Sequence, residues 1–599
     1  MRKVKYPAEW DLSGQFKDTP QNIKKERART KTAYLSFAKK WRNRVDYLKK
    51  PSILRKALDE LENLSKNYAP REPRYLNLRS SKESDNNEIK ARINNVTAFY
   101  TPIFNELEYF DINISKIPKK HQPKFLKSKE LQKYKHFLEK IFRRGEHNLT
   151  EAEEKILNLK SPLCHRNWTR MLSSLISKEE VEIIDDKLKK GKIPFSQITP
   201  LLQSRVKKVR DTAAREFYRV LDKHSDVAEH EMNSILQNKR INDELRGYKR
   251  PDEASHLGDD IESAVVDKLL ERVTEHFKVA QKYYSFRTKL TGIKKPRYYE
   301  RFVSVTKNES TKYSYDKSVS LVYKVLASLD SEFGDMFMKM VKNGQIDVYP
   351  QKGKQGGAFC NYGGLKEPTY VFLNHNNELR NVTTLAHEMG HAINGELVKK
   401  NESPFNMSDS LATAEIASTF MEDFVLERLS HEISDEERLP LLIENLDDIT
   451  SSIFRQVAAY NFEKELHEQA RLKGYISKQE IGQIFAKHMK SYLGPVFNLE
   501  KELELGWIHW DHFRYFFYVY SYASGLLISK YLQREVRKNP EFIKKVKEFL
   551  STGGSKSPKD ILKELGVDIT KATFWDTGLK EIERELDETI KVAKKLGKI

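Results

Sequence analysis

His387 and His391 stand four residues apart, with a glutamate directly after the first: His387-Glu-Met-Gly-His391. On a helix, residues four apart point the same way, so both imidazoles can meet one metal ion. Glu388 is turned aside by about 100° and can reach a metal-bound water without being a ligand. This is the HExxH spacing of zinc-dependent hydrolysis, with Glu388 as the general base. The plainer alternative is two polar positions on an amphipathic helix. A helical setting and a third ligand decide between them.

The setting favours the metal. Asn381, Thr383 and Thr384 offer helix caps just before the motif. Upstream, Thr369–Leu373 reads as a short buried strand between Pro368 and the polar run at 374–377. A strand followed by the metal helix suits peptide cleavage, because an extended substrate can pair along a sheet edge.

A catalytic zinc takes three protein ligands and leaves a fourth position for water. The next helical pattern runs from Ser408 to Leu426, opens with Ser408 and Asp409 as caps, and carries Glu415, Glu422 and Asp423. Glu415 lies among Ala412, Ala414, Ala417 and Ser418, and Gly390 offers a matching gap on the metal helix. Small side chains permit close helix approach, which makes Glu415 the expected third ligand. Glu422, two turns on, either accepts a hydrogen bond from a ligand histidine or is a surface acid. Asp423 reads as a surface acid.

Together these segments resemble the oligoendopeptidase F branch of the thimet oligopeptidase family. The motif is followed after 24 residues by the glutamate of Ala414-Glu-Ile-Ala-Ser-Thr419. Tyr6-Pro-Ala-Glu-Trp-Asp-Leu12, Lys354-Gln-Gly-Gly-Ala-Phe-Cys360, the His/Tyr-rich helix His512–Gly525, and Phe549–Pro558 with Gly566-Val-Asp568 also match the family. The resemblance implies one zinc per chain held by His387, His391 and Glu415, with Glu388 as base. It implies that His512 and Tyr520 stabilise the oxyanion, with Tyr515 and Tyr518 in reserve, and that Gly357 and Ala358 form a strand lining the substrate. It further implies a mostly α fold, two helical lobes flanking a deep groove that admits short unfolded peptides, and a small sheet beside the metal helix. One position departs from the pattern: Asn394 stands where many relatives carry a further histidine. Internal cleavage is the expected activity. A dipeptidyl carboxypeptidase is the neighbouring alternative, and a non-catalytic peptide- or nucleic-acid-binding protein on a peptidase scaffold is the alternative of a different class.

Composition agrees with a helical enzyme. The chain has 599 residues, 39% hydrophobic and 32% charged, and apolar residues recur at helical spacing, as in 261–277 and 580–590. Strand signals cluster at 346–373. Residues 1–195 read as an N-terminal helical region, with a family-like small domain at about 111–190, and 196–599 as the catalytic region. Cys164 and Cys360 are too few for a disulfide framework, and Cys360 reads as a buried, inert thiol. The charged N-terminus lacks a following apolar stretch. The longest uncharged run, Tyr515–Ser529, is shorter than the roughly 18 apolar residues of a membrane span. With these features the cytoplasm is the expected compartment, and no membrane partner is expected. The net charge of +20 comes from lysines interleaved with acids, with local basic runs such as Lys24-Lys-Glu-Arg-Ala-Arg29. That pattern argues for a solvated basic surface rather than a specific nucleic-acid site. Nothing in the sequence specifies an oligomeric state.

Overall fold

The computed structural model describes residues 6–305, 312–407, 413 and 415–599. Ser408, Asp409, Ala412 and Ala414, expected as caps and packing positions, lie outside the described residues. Among those described, helices dominate and strands are few, so the fold is mostly α. β1 (Glu180–Ile184) and β2 (Lys190–Pro194) form an antiparallel hairpin. β3 (Ile346–Asp347), β4 (Phe359–Asn361) and β5 (Tyr370–Phe372) form a second sheet in the order β3-β5-β4. The hairpin falls where the sequence promises only polar chain and helices. Val181 and Ile183 alternate with Glu180 and Glu182, a period-two signal too short to outweigh the charge around it.

Two compact units are present, and neither is continuous in sequence. The first joins Met1–Asn148, Ser310–Glu432 and Leu532–Val567; the second joins Leu149–Glu309, Ile433–Tyr531 and Asp568–Ile599.

In the first unit the helices Pro20–Trp41, Pro51–Asn67 and Glu72–Lys82 each carry proline in the first turn, where a missing N–H costs nothing. Trp41, Tyr47, Leu58, Tyr100 and Phe110 form part of their shared core. The three-stranded sheet belongs to the same unit. β5 is buried along its whole length, as its run of Tyr, Val and Phe requires. The N-terminal segment lies against it: Trp10 Nε1 donates to Val371 O at 2.8 Å, and Tyr370 Oη donates to Asp11 O at 2.9 Å. Helix Arg380–Asn401, which carries the HExxH residues, packs on β4, β5 and the helices Ile416–Glu432 and Ile543–Ser551.

The second unit is built on helices as well, among them Ser225–Leu245, Gln456–Lys473 and Ala572–Lys595. Among the described residues no helix is long and apolar enough to cross a membrane.

Candidate active site

The metal helix starts one residue before Asn381, and the expected caps do other work. Leu379 takes the cap position without a side-chain bond. Asn381 Oδ1 instead accepts the N–H groups of Asn376 and Glu378, at 2.7 and 3.1 Å, and so orders the turn leading into the helix. Thr383 and Thr384 donate back to Arg380 O.

Four residues along that helix separate the two imidazoles, and both turn toward Glu415. His387 Nε2 and His391 Nε2 lie 3.4 and 3.6 Å from Glu415 Oε2. The three donor groups fall within 4.8 Å of one another. Close helix approach makes this possible: a Cβ on Gly390 would stand 2.5 Å from Ala417 O and Ser418 Cα, so only glycine fits. Glu415 occupies the turn just before helix Ile416–Glu432, and Ser418 Oγ lies 3.0 Å from its Oε2. On the far side of His387, Nδ1 meets Glu422 Oε2 at 2.9 Å. That contact fixes the ring and directs Nε2 toward Glu415, the arrangement ligand histidines use. Asp423, expected at the surface, is buried; its place on the helix turns it inward.

The electrostatics follow from this geometry. Burial works against charge on His387, but Glu415 and Glu422 outweigh it and hold the imidazole well above its usual range. Burial also raises Glu415, yet its hydrogen bond with His387 and the charges of both histidines bring it down to about 2. Two imidazoles and one carboxylate around a point, with the outer nitrogen of one ring already bonded, fit a divalent cation with a preference for nitrogen donors. Glu388 stands apart from the three. It is 6% exposed, and burial pushes it up to about 7, opposed by His387 and reinforced by Glu415 and Glu422.

Neighbouring positions refine the reading. Asn394 is buried and donates through Nδ2 to Leu550 O at 2.7 Å, fastening the metal helix to helix Ile543–Ser551. Gly357 and Ala358 do not form the expected strand. Gly357 takes a left-handed φ of 83°, and β4 begins at Phe359, on the sheet's edge. The thiol of Cys360 is raised by burial and by the charge of Glu388, as an inert cysteine should be.

In the second unit the His/Tyr-rich segment is not the continuous helix expected. His512 sits in a 3₁₀ turn, Asp511–Arg514, and Phe516 and Phe517 both adopt φ of 54° before the helix opens at Tyr520. Left-handed conformations cost bulky residues roughly 1–2 kcal/mol each, and long-range partners hold them here. Arg514 is buried, bonded to Glu231 Oε2 at 2.7 Å and to the carbonyls of Trp507, Ile508 and Trp510. Glu463 Oε1 accepts the Phe517 N–H at 3.0 Å, and the His467 ring packs 4.5 Å from that of Phe517. Sequence reading misses Glu463 and His467, because charges at helical spacing within 456–473 look like a solvated face.

The segment brings His512 Nδ1 to Tyr518 Oη and sets the ring of Tyr522 5.8 Å from the imidazole. Tyr520, the expected oxyanion donor, is fully buried and donates to Asp259 Oδ2 at 2.6 Å. Its hydroxyl is committed to that buried carboxylate inside the fold. Tyr515 is 70% exposed. The reserve residue Tyr518 is the one that partners His512.

A donor set of this kind on a helical scaffold is that of a metallopeptidase, and comparison with known proteins narrows the class. Residues 200–581 match the model of peptidase family M3, and residues 113–178 match that of oligopeptidase F; the chain belongs to peptidase family M3 and is a metalloendopeptidase. An oligoendopeptidase F homolog of Borreliella burgdorferi is 28% identical over 591 residues, covering 97% of this chain and 98% of that protein. Oligopeptidase PepF of Bacillus subtilis is 26% identical over 520 residues, 86% of this chain and 77% of the relative. Among solved structures, a Chlamydophila abortus protein matches with a TM-score of 0.86 at 23% identity, covering 98% of each chain. Oligoendopeptidase-F of Enterococcus faecium matches with a TM-score of 0.70 at 18% identity, covering 96% of this chain and 99% of that one.

Proposed function

We propose that this protein is a zinc-dependent oligoendopeptidase that cuts internal bonds of short, unfolded peptides. The observation that carries the reading is the convergence of His387, His391 and Glu415 donors within 4.8 Å. These three residues would hold the zinc. When bound, the ion lowers the pKa of its water to about 7 and polarises the scissile carbonyl.

The chain's own residues do the rest. Glu388 takes the water's proton on its carboxylate and passes it to the leaving nitrogen. Its burial favours this, since a carboxyl displaced toward neutrality can both accept and return a proton near pH 7. Glu422 keeps the His387 ring in the ligating tautomer. The edge strand β4 offers backbone groups along which an extended peptide can lie. For the oxyanion we assign His512 and Tyr518, on the resemblance of their segment and the bond between them; Tyr520 leaves that role.

The direct test is digestion of a mixed library of capped peptides of about ten residues, read by mass spectrometry with and without chelator. Internal cuts that vanish with chelator and return with zinc support the reading. Cleavage that survives complete removal of metal, or that stops when the C-terminus is amidated, contradicts it.

A further inference from the structure

The basic run Lys24–Arg29 has no task in peptide cleavage. In the first unit, Lys25 and Arg29, one helical turn apart, face a cleft of about 650 Å³. Its walls come from four separate stretches: 13–17, helix Pro20–Trp41, the end of helix Pro51–Asn67 with Arg71 beyond it, and the turn 364–367. Every stretch brings a cation: Lys17, Lys25, Arg29, Lys66, Arg71 and Lys366 all line the cleft, Arg71 half-buried and the other five exposed.

Two acids, Glu26 and Glu367, also line the cleft, and both have partners of their own. Arg27 and Arg74, just outside, are paired with Glu72 at 2.8 Å and Glu367 at 2.9 Å. Glu26 Oε1 accepts the N–H groups of Arg71 and Glu72, both at 3.0 Å, so that carboxylate is occupied by backbone. Among the described residues, none of the six cations has a carboxylate within salt-bridge distance. The partners they do have are neutral: Lys366 Nζ donates to Asn67 Oδ1 at 2.6 Å, and the Arg29 guanidinium lies 5.4 Å over the Tyr68 ring.

Gathering like charges in one cleft costs self-repulsion, which a bound counter-anion relieves. The volume is in the range of small-ligand sites, about 300–1,000 Å³. An extended acidic peptide offers at most one charge per about 3.3 Å, too dilute for six cations in so small a space. An oligophosphate packs several charges into a few atoms, and arginine forks match its oxygens in pairs.

We propose that this cleft is a binding site for a small oligophosphate anion, held by Lys25, Arg29, Lys66, Arg71 and Lys366. Such a ligand exists free or attached to a nucleoside, and the experiment separates the two. Sodium tripolyphosphate is titrated calorimetrically into the full-length protein at about 0.15 M salt, where the Debye length is about 8 Å and diffuse surface attraction is screened. One saturable site is expected. Lys25→Glu with Arg29→Glu weakens it about tenfold or more, and Lys66→Gln with Lys366→Gln, on the other walls, weakens it in the same direction. Lys591→Glu with Lys594→Glu, exposed on helix Ala572–Lys595, makes the same charge change as the first pair and leaves binding intact. Thermal melts accompany each variant, and where one pair misfolds the other pair decides. ATP binding as tightly as tripolyphosphate, with adenosine silent, assigns the site to the phosphate chain; ATP binding at least about tenfold tighter assigns it to a nucleotide. No saturable binding up to about 1 mM, or equal loss in the Lys591/Lys594 control, overturns the proposal.

Discussion

His387 and His512 are both imidazoles whose Nδ1 is held by a neighbouring oxygen, Glu422 in one case and Tyr518 in the other. The means of holding them differ. His387 rides on a regular helix, and its partners sit on a second regular helix (Glu422) and in the turn that leads into it (Glu415), brought close by the gap at Gly390. His512 sits on a kinked segment with two left-handed phenylalanines, kept in shape by Arg514, Glu463 and their distant partners. The first arrangement follows from spacing along the chain. The second depends on side chains from elsewhere in the sequence, so its failures should be graded and rescuable where those of the first are abrupt.

The largest effect should come from the regular site. Glu388→Gln is expected to lower kcat by about 10³-fold, within the range of lost acid–base catalysis, while bound metal measured by elemental analysis is unchanged. Turnover within tenfold of wild type would remove Glu388 from the mechanism. Next comes a test that separates two tyrosines in the irregular segment. Tyr518→Phe should cost about 10²-fold in kcat, the scale of one oxyanion donor. Tyr520→Phe should leave kcat nearly unchanged and lower the melting temperature, since it strips a partner from buried Asp259. The reverse pattern would restore Tyr520 as the donor.

A smaller effect probes the helix pair. Gly390→Ala places a Cβ against Ala417 and Ser418, and should destabilise by about 1–3 kcal/mol, as overpacking does, while raising the zinc concentration needed for half-activity. If affinity and melting point both hold, the close approach is not what sets the ligand geometry.

The smallest effect concerns the clamp on Phe517. Burial pushes Glu463 up to about 8, against the lowering influence of its bond from the Phe517 N–H and with a further push from Asp252. A carboxyl raised in the folded state contributes stability that is complete below its unfolded pKa, near 4.3, and is lost as pH climbs to the folded value. Glu463→Gln keeps the acceptor without the charge. Its melting temperature should therefore gain on wild type between pH 4.5 and 8 and run parallel above. Parallel curves throughout would mean that Glu463 does not titrate in that window.

The same contrast between regular and irregular segments explains what is legible in the sequence. The mostly helical class and the buried strand before the metal helix rest on local periodicity and come through, and the structure brings His387, His391 and Glu415 together as their spacing and small-residue packing suggest. Asn381 and the threonines look like caps because their acceptors and donors suit either a cap or the preceding turn. Gly357 and Ala358 look like part of a strand that in fact starts at Phe359, since a positive φ leaves no mark in composition. Tyr520 and Tyr518 cannot be told apart by spacing, because only tertiary structure sends one hydroxyl to Asp259 and the other to His512. Glu463 and Arg514 are invisible for the same reason.

The discontinuity of the first unit has a consequence for how the enzyme is made. Trp10 waits for Val371, 361 residues later, and Asn394 waits another 156 for Leu550. At roughly 5–20 residues per second, the metal helix leaves the ribosome well before the helix that fastens it. A chain still in synthesis therefore carries its HExxH helix before the segment Leu532–Val567 that packs on it has been made.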